Sequence, residues 1–317
     1  MPELKDIAAL WGDVEEAPQL IAARENSVYE MRAGGHHMAL RLHRAGYQSR
    51  MAIESELRWT ARLAEVGFPC PRPMASSDGT FLRAVHGGSY ASAVSWVEGA
   101  AIGEGGCELA GGDDDLHALY SSVGALIAAF HDATDAVITD DILRPAWDAD
   151  ALLGEEPLWG RFWENSTLTQ PETELLLRVK ARAYDELVEM EDADAGLIHA
   201  DCLQENILAS PTGLVLIDFD DAGFGYRAYD LGTAMIQHYR HPNRRLLEDA
   251  LLTGYGTLRS APTQQGLRFF TMLRGLASCG WVITRGAGDS DYQRAQANRA
   301  LYLAEEWLDQ TTTSSRS

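Results

Sequence analysis

The sequence predicts an α+β protein: an antiparallel sheet with one main helix in the N-terminal third, followed by mostly helical chain. Three observations predict this. Runs of alternating apolar and polar residues crowd the first hundred positions, where strands are expected. From about Asp114 onward, apolar residues recur at helical spacing. One stretch interrupts the helical part: Gly196 to Asp221, reading GLIHADCLQENILASPTGLVLIDFDD, sets two short apolar runs around a Ser210-Pro211-Thr212-Gly213 turn, the pattern of a β-hairpin.

In chain order, residues 1 to about 17 read as a short acidic helix, and the chain from Gln19 to His43 reads as extended. There Leu20-Ile21, Val28 to Met31 and Met38 to His43 are three strands, the last two joined by a Gly34-Gly35 turn. Residues 50–66 place Ile53, Leu57, Leu63 and Val66 on one helical face; Gly67 and the prolines at 69, 71 and 73 end that helix. Strands at Phe81–Val85 and Tyr90–Val97 follow. After an acidic, glycine-rich connection, Asp114 or Asp115 caps a helix carrying Leu119, Val123, Leu126, Ile127 and Phe130. His131 closes that helix as a packed or capping residue. The segment 144–165 holds three of the eight tryptophans, Trp147, Trp159 and Trp163. They either cage a substrate ammonium, together with Asp148 and Glu164, or pack an irregular loop onto the core. Gln170–Met190, Leu231–Met235, Arg244–Tyr255, Gly266–Thr284 and Ser290–Asp309 read as helices, and TTTSSRS as a disordered tail.

At 317 residues, one large or two smaller cores are expected. A net charge of −21 argues against nucleic acid or anionic membrane as a partner and is compatible with a cationic substrate or with solubility alone. Only Lys5 and Lys180 are lysines, so arginine carries nearly all the positive charge. No run of eighteen apolar residues is present, and the acidic N-terminus lacks a signal-peptide core, so a cytoplasmic protein is expected. Cys70, Cys107, Cys202 and Cys279 have no metal or disulfide spacing and read as reduced thiols.

The hairpin stretch carries the chemistry. Asp201, Asn206 and Asp218 are three oxygen-bearing side chains that its geometry would bring to one end. Mg²⁺ is a hard ion that shares carboxylate and amide oxygens with phosphate, and phosphoryl transfer needs a separate carboxylate to orient the accepting hydroxyl and take its proton. The spacing of five from Asp201 to Asn206, followed by a second aspartate beyond a hairpin, fits that division of labour.

HADCLQENIL followed by LIDFDDAGFGYRAYDLG resembles the aminoglycoside phosphotransferase/type II homoserine kinase family of protein-kinase-like small-molecule kinases, from about Glu25 to about Leu308. The resemblance implies a bilobal protein-kinase-like fold. Residues 1–97 would be an N-terminal nucleotide-binding lobe, 98–310 a C-terminal catalytic and substrate-binding lobe, and 311–317 a tail. It implies Asp201 as catalytic base, Asn206 and Asp218 as magnesium ligands, His199 as a brace of the loop and Asp230 as anchor of its backbone. On the same basis Arg24-Glu25-Asn26-Ser27 would turn over the phosphates of ATP, with Asn26 and Ser27 as donors. Arg41 would stand where kinases place a lysine, with Glu56 as its partner, and Trp96 to Glu98 would face the adenine.

Asp230 follows Asp218 by only twelve positions, too few for the activation segment with which protein kinases support a peptide, so a small hydroxyl acceptor is expected. Asp220, Asp221, Trp147, Trp163 and Arg285 are the candidate acceptor contacts. An amino-bearing alcohol such as homoserine is the first expectation, its ammonium suited by acidic walls and its carboxylate by Arg285. Alternatives are an aminoglycoside, a protein substrate of a stress-type kinase, and a nucleotide-binding pseudokinase. The last is favoured by the missing lysine and glycine loop and opposed by Asp201, Asn206 and Asp218.

Overall fold

The computed structural model describes residues 4–314 except 24, 25, 47, 108, 191, 192, 286 and 287. The chain divides into two compact units, each taken by itself below. The first comprises Met1–Ala101, Asp132–Arg144 and Ile207–Asp220; the second comprises Ile102–His131, Pro145–Asn206 and Asp221–Ser317.

The first unit opens with α1 (Leu4–Ala8) and a 3-10 turn at Ala9–Trp11, after which β1 (Val14–Ala23) is already extended. This corrects the expected helix to residue 17. Pro18 is tolerated because β1 is an edge strand, and its register slips between Glu16 and Gln19. β2 (Ser27–Ala33) and β3 (His36–His43) form a hairpin with Met31 opposite Met38. Gly34 and Gly35, at φ 57° and 77°, make its two-residue turn, which demands positive φ at both positions. α2 (Arg50–Glu65) follows, capped by Ser49, whose hydroxyl accepts from the amide of Ala52 at 3.2 Å.

β4 (Pro73–Met74), β5 (Leu82–Ala84) and β6 (Tyr90–Ser95) complete an antiparallel sheet in the order β1-β2-β3-β6-β4, with β5 also against β6. Period-two alternation sends Met38 and Leu40 to the face occupied by Trp11, Met31, Ala91 and Ala93, and leaves Arg41 on the other face with His43. α2 buries Ile53 and Leu57 against Leu82. β7 (Ala100–Ala101) belongs to a second small sheet, described with the hairpin below.

α3 (Asp113–Val137) begins the helical part, with three aspartates in its first turn complementing the helix dipole. In the tryptophan-rich segment come β8 (Ala146–Trp147) and α4 (Ala149–Leu153), the latter capped by Asp148. α5 (Gln170–Val188) starts on a Thr169/Glu172 capping box. β9 (Ala195–Ile198) leads to the His199–Asn206 loop. β10 (Ile207–Ser210) and β11 (Gly213–Leu216) are the expected hairpin, paired from Ile207–Leu216 to Ser210–Gly213, and β7 adds to the free edge of β10.

β12 (Gly223–Tyr226) pairs antiparallel with β9 and parallel with β8. Its glycines are there for closeness: a Cβ on Gly225 would stand 2.6 Å from the Cβ of Trp147, and one on Gly223 would stand 2.4 Å from the carbonyl of Pro145. α6 (Ala228–Met235), α7 (Arg244–Tyr255), α8 (Gln264–Arg285) and α9 (Ser290–Ser314) finish the chain. The second unit's main core joins Leu176 and Val179 of α5, Phe269 and Leu276 of α8, and Ala300 and Trp307 of α9. The antiparallel N-terminal sheet with one main helix, and the helical remainder, are as the sequence predicts. Among the described residues, no helix is long and apolar enough to cross a membrane.

Candidate active site

In the first unit, β3, α2 and the chain after β11 bring four predicted residues together around one guanidinium. Nη1 of Arg41 lies 2.8 Å from Oδ1 of Asp220 and 3.3 Å from Oε1 of Glu56, and its Nη2 lies 2.8 Å from Oδ1 of Asp218. Burial opposes the charge on Arg41, but Asp220, Asp218 and Glu56 outweigh it and raise its pKa, so it is a permanent cation. Glu56 is buried, and that burial together with Asp220 pushes its carboxyl up to about 7 against the pull of Arg144 and Arg41. Burial, with help from Arg41, pushes His43 down to about 3; it is neutral, 2.8 Å from the hydroxyl of Ser92.

Asp218 is reached because β11 ends at Leu216 and its ladder stops. Its φ is 64°, a left-handed conformation uncommon outside glycine, and its side chain is 46% exposed. Asp220 is 14% exposed and accepts from both Arg41 and the amide nitrogen of Asn26, while the Asn26 oxygen accepts from the backbone of Arg44 at 3.2 Å. Asp220 and Asn26, expected at acceptor and phosphate respectively, are therefore each other's partners. Ser27 lies in β2 opposite Leu42. Arg24 and Glu25 of the same predicted turn lie outside the described residues. Trp96 stacks on His37 with ring centres 4.9 Å apart, and Glu98, 3.5 Å from the same imidazole, is largely exposed.

In the second unit, the loop after β9 is held from beneath by Asp230 of α6. Its two carboxylate oxygens accept from the amides of His199, at 2.9 Å, and Ala200, at 2.7 Å. Those bonds hold Ala200 at φ 65°. Asp230 is fully buried, and its charge is also met by Nε2 of His131 at 3.0 Å. Burial lowers the His131 pKa, so the ring is neutral. Nε2–H donates to Asp230, and Nδ1 accepts from the hydroxyl of Tyr255 at 2.9 Å. His199 in turn accepts the amide of Asp201 at 3.2 Å.

The carboxylate of Asp201 is thus carried on a fixed backbone. Its Oδ2 accepts from the amide nitrogen of Asn206 at 2.8 Å, and its Oδ1 from Nη2 of Arg274 at 2.8 Å. Since the Asn206 nitrogen also donates to the Asp201 carbonyl, at 2.9 Å, its oxygen is the atom suited to a hard cation. Arg274 is 5% exposed, lies over the ring of Trp159 and donates to Ser278. Burial, with Asp230 and Asp201 nearby, pushes the Cys202 thiol well up; it stays protonated.

The aromatic candidates divide. Trp147 is enclosed, its ring against Trp159 and Tyr229 and its indole nitrogen donating to the carbonyl of Asp221 at 2.9 Å. Of the two readings of this segment, Trp147 follows the packing one. Trp163 is partly exposed, with the ammonium of Lys180 4.7 Å from its ring centre. Arg285 lies over Trp281. Arg274 and Arg144, which no motif marked, are the residues that sequence reasoning missed.

A family model described as APH, phosphotransferase enzyme family, matches residues 17–270. A microcompartment-associated aminopropanol kinase superposes with a TM-score of 0.82 at 26% identity, covering 96% of this chain and 97% of that one. An amicoumacin kinase in complex with AMP-PNP, Ca²⁺ and Ami gives 0.76 at 20% identity, covering 96% and 94%. A putative aminoglycoside phosphotransferase from Ralstonia eutropha gives 0.65 at 17% identity, covering 93% of each chain. An uncharacterized protein of Deinococcus radiodurans is 27% identical over 234 residues, 71% of this chain but only 63% of that protein's length.

Proposed function

The chain belongs to the phosphotransferase enzyme family, and from that premise we propose that it transfers the γ-phosphoryl group of ATP to a hydroxyl of a small amino-bearing alcohol. The single observation that carries the reading is Asp201: a carboxylate on a backbone braced by Asp230, with Asn206 bonded to it five positions on. In this assignment the acceptor hydroxyl donates its proton to Asp201 as its oxygen bonds to the γ-phosphorus. The bond from that phosphorus to the β,γ-bridging oxygen breaks, and ADP leaves.

Arg274 donates to one oxygen of Asp201 and Asn206 to the other, which fixes the plane of the carboxylate that is to meet the hydroxyl. Arg41 is assigned to the α- and β-phosphates, tethered by Glu56. The Asp218 carboxylate in the first unit and the Asn206 amide oxygen in the second are each of a kind suited to Mg²⁺, which would neutralise phosphate charge when bound. Among the described residues no group of three or more His, Cys, Asp or Glu could hold a metal.

An amino alcohol is favoured by the 26% likeness to an aminopropanol kinase over nearly the whole of both chains, and homoserine belongs to the same acceptor class. The net charge of −21 suits a cationic acceptor. ATP consumption with Mg²⁺ across aminopropanol, ethanolamine, homoserine, sugars and aminoglycosides tests the proposal. Turnover on amino alcohols, above that on sugars and aminoglycosides, is the expected result. Turnover confined to aminoglycosides would replace the acceptor class, and none on any acceptor would sink the reading.

A further inference from the structure

Arg144 lies just beyond α3, and its side chain is 1% exposed. Its Nη1 stands 3.3 Å from Oε2 of Glu56 and 3.4 Å from the carbonyl of Ala52, one turn earlier in α2. Its Nη2 donates to the carbonyl of Phe219 at 3.0 Å and to that of Asp220. The hydroxyl of Ser55 accepts the amide of Leu143 at 2.6 Å and so seats the backbone from which Arg144 springs. Glu56 is therefore shared between two arginines, Arg41 on one oxygen and Arg144 on the other.

We propose that Arg144 is a positioning residue for nucleotide and metal binding, acting as a clamp that ties the Asp218–Asp220 segment to α2. The inference rests on the kinase reading above. Three features lead to it. First, Asp218 has a left-handed φ, a conformation that persists only where the surroundings over-determine it. Arg144 supplies that hold by taking the two carbonyls that follow. Second, it grips backbone and leaves the Asp218 carboxylate for other partners. Third, Glu56 is buried and has a guanidinium on each carboxylate oxygen, so Arg144 fixes it independently of Arg41. An arginine fork spans a carboxylate and three carbonyls at once, which a lysine ammonium on one stem cannot do.

Titration calorimetry of the full chain with AMP-PNP in the presence of Mg²⁺ tests this, using Arg144→Met and Arg144→Lys with melting curves as the folding control. Loss of a charge-assisted hydrogen-bond set should weaken AMP-PNP binding by about tenfold or more in Arg144→Met and raise the half-saturating Mg²⁺ concentration, with Arg144→Lys recovering only part. A purely structural role would lower the melting temperature and leave both quantities at wild-type values below it; that result overturns the proposal. Should Arg144→Met not fold, Ser55→Ala keeps every charge and loosens the seat. It should weaken AMP-PNP binding by about threefold, and wild-type affinity there overturns the proposal equally. Wild-type protein that binds no AMP-PNP would refute the kinase reading itself and the clamp with it, an outcome distinct from a variant that binds normally.

Discussion

Nη2 of Arg274 lies 2.8 Å from Oδ1 of Asp201, a residue 73 positions earlier in the chain. The pairing joins α8 to the loop after β9. Arg274 rests on Trp159 and is almost fully buried, so its guanidinium is held in place independently of Asp201. Replacing it with methionine should lower kcat by about 10- to 100-fold through loss of orientation at Asp201, with the AMP-PNP dissociation constant unchanged within about twofold. Arg274→Lys should fall between. Steady-state kinetics and calorimetry on the same preparations check this, and equal losses in kcat and nucleotide affinity would contradict it.

Asp201→Asn keeps the size of the side chain and removes its capacity to take a proton. Turnover on the best acceptor should fall by about 10²–10⁴-fold, while AMP-PNP binding persists. A coupled ADP-release assay beside calorimetry reads both quantities. Retained turnover would move the base elsewhere.

Asp230→Ala leaves the amides of His199 and Ala200 and the Nε2–H of His131 without their acceptor in a fully buried place. Three buried donors left unsatisfied should cost about 3–5 kcal/mol together, by thermal or urea unfolding. Asp230→Asn keeps one acceptor oxygen and should lose less.

Glu172 gives a pH signature remote from the chemistry. Arg294, at 2.7 Å, and the amide of Thr169 hold its carboxyl at about 2, below the usual 4.5. A carboxyl lowered in the folded state contributes stability that is complete above its unfolded value and is lost as pH falls through its folded one. Between pH 4.5 and 2 the wild type should therefore lose about 1 kcal/mol that Glu172→Gln lacks throughout, so the two melting-temperature curves converge toward pH 2. Parallel curves across that range would count against the assignment.

What could be read in advance was local. The Asp201–Asn206 spacing, the β10–β11 hairpin and the alternation that faces Arg41 away from Leu40 all depend on residues a few positions apart, where chain geometry constrains the outcome. Arg144 and Arg274 were illegible because Phe219 and Asp201, which they bond, lie 75 and 73 positions away, and an arginine in a loop or a helix looks like any solvated one. The Asn26–Asp220 hydrogen bond was illegible for the same reason: 194 residues separate the two, and nothing local in the sequence pairs them. The false helix near residue 17 arose from acidic residues resembling a helix start, where the edge position of β1 in fact absorbs Pro18.

β12 occupies the stretch after Asp218, with backbone ladders to β8 on one side and β9 on the other, and with its glycines closed down on Trp147. A strand bonded along both edges cannot leave its place without melting a sheet and exposing a tryptophan. Protein kinases commonly store an on–off decision in a segment that orders and disorders at this point of the chain. Here that stretch is masonry, a strand built into the middle of a three-stranded sheet.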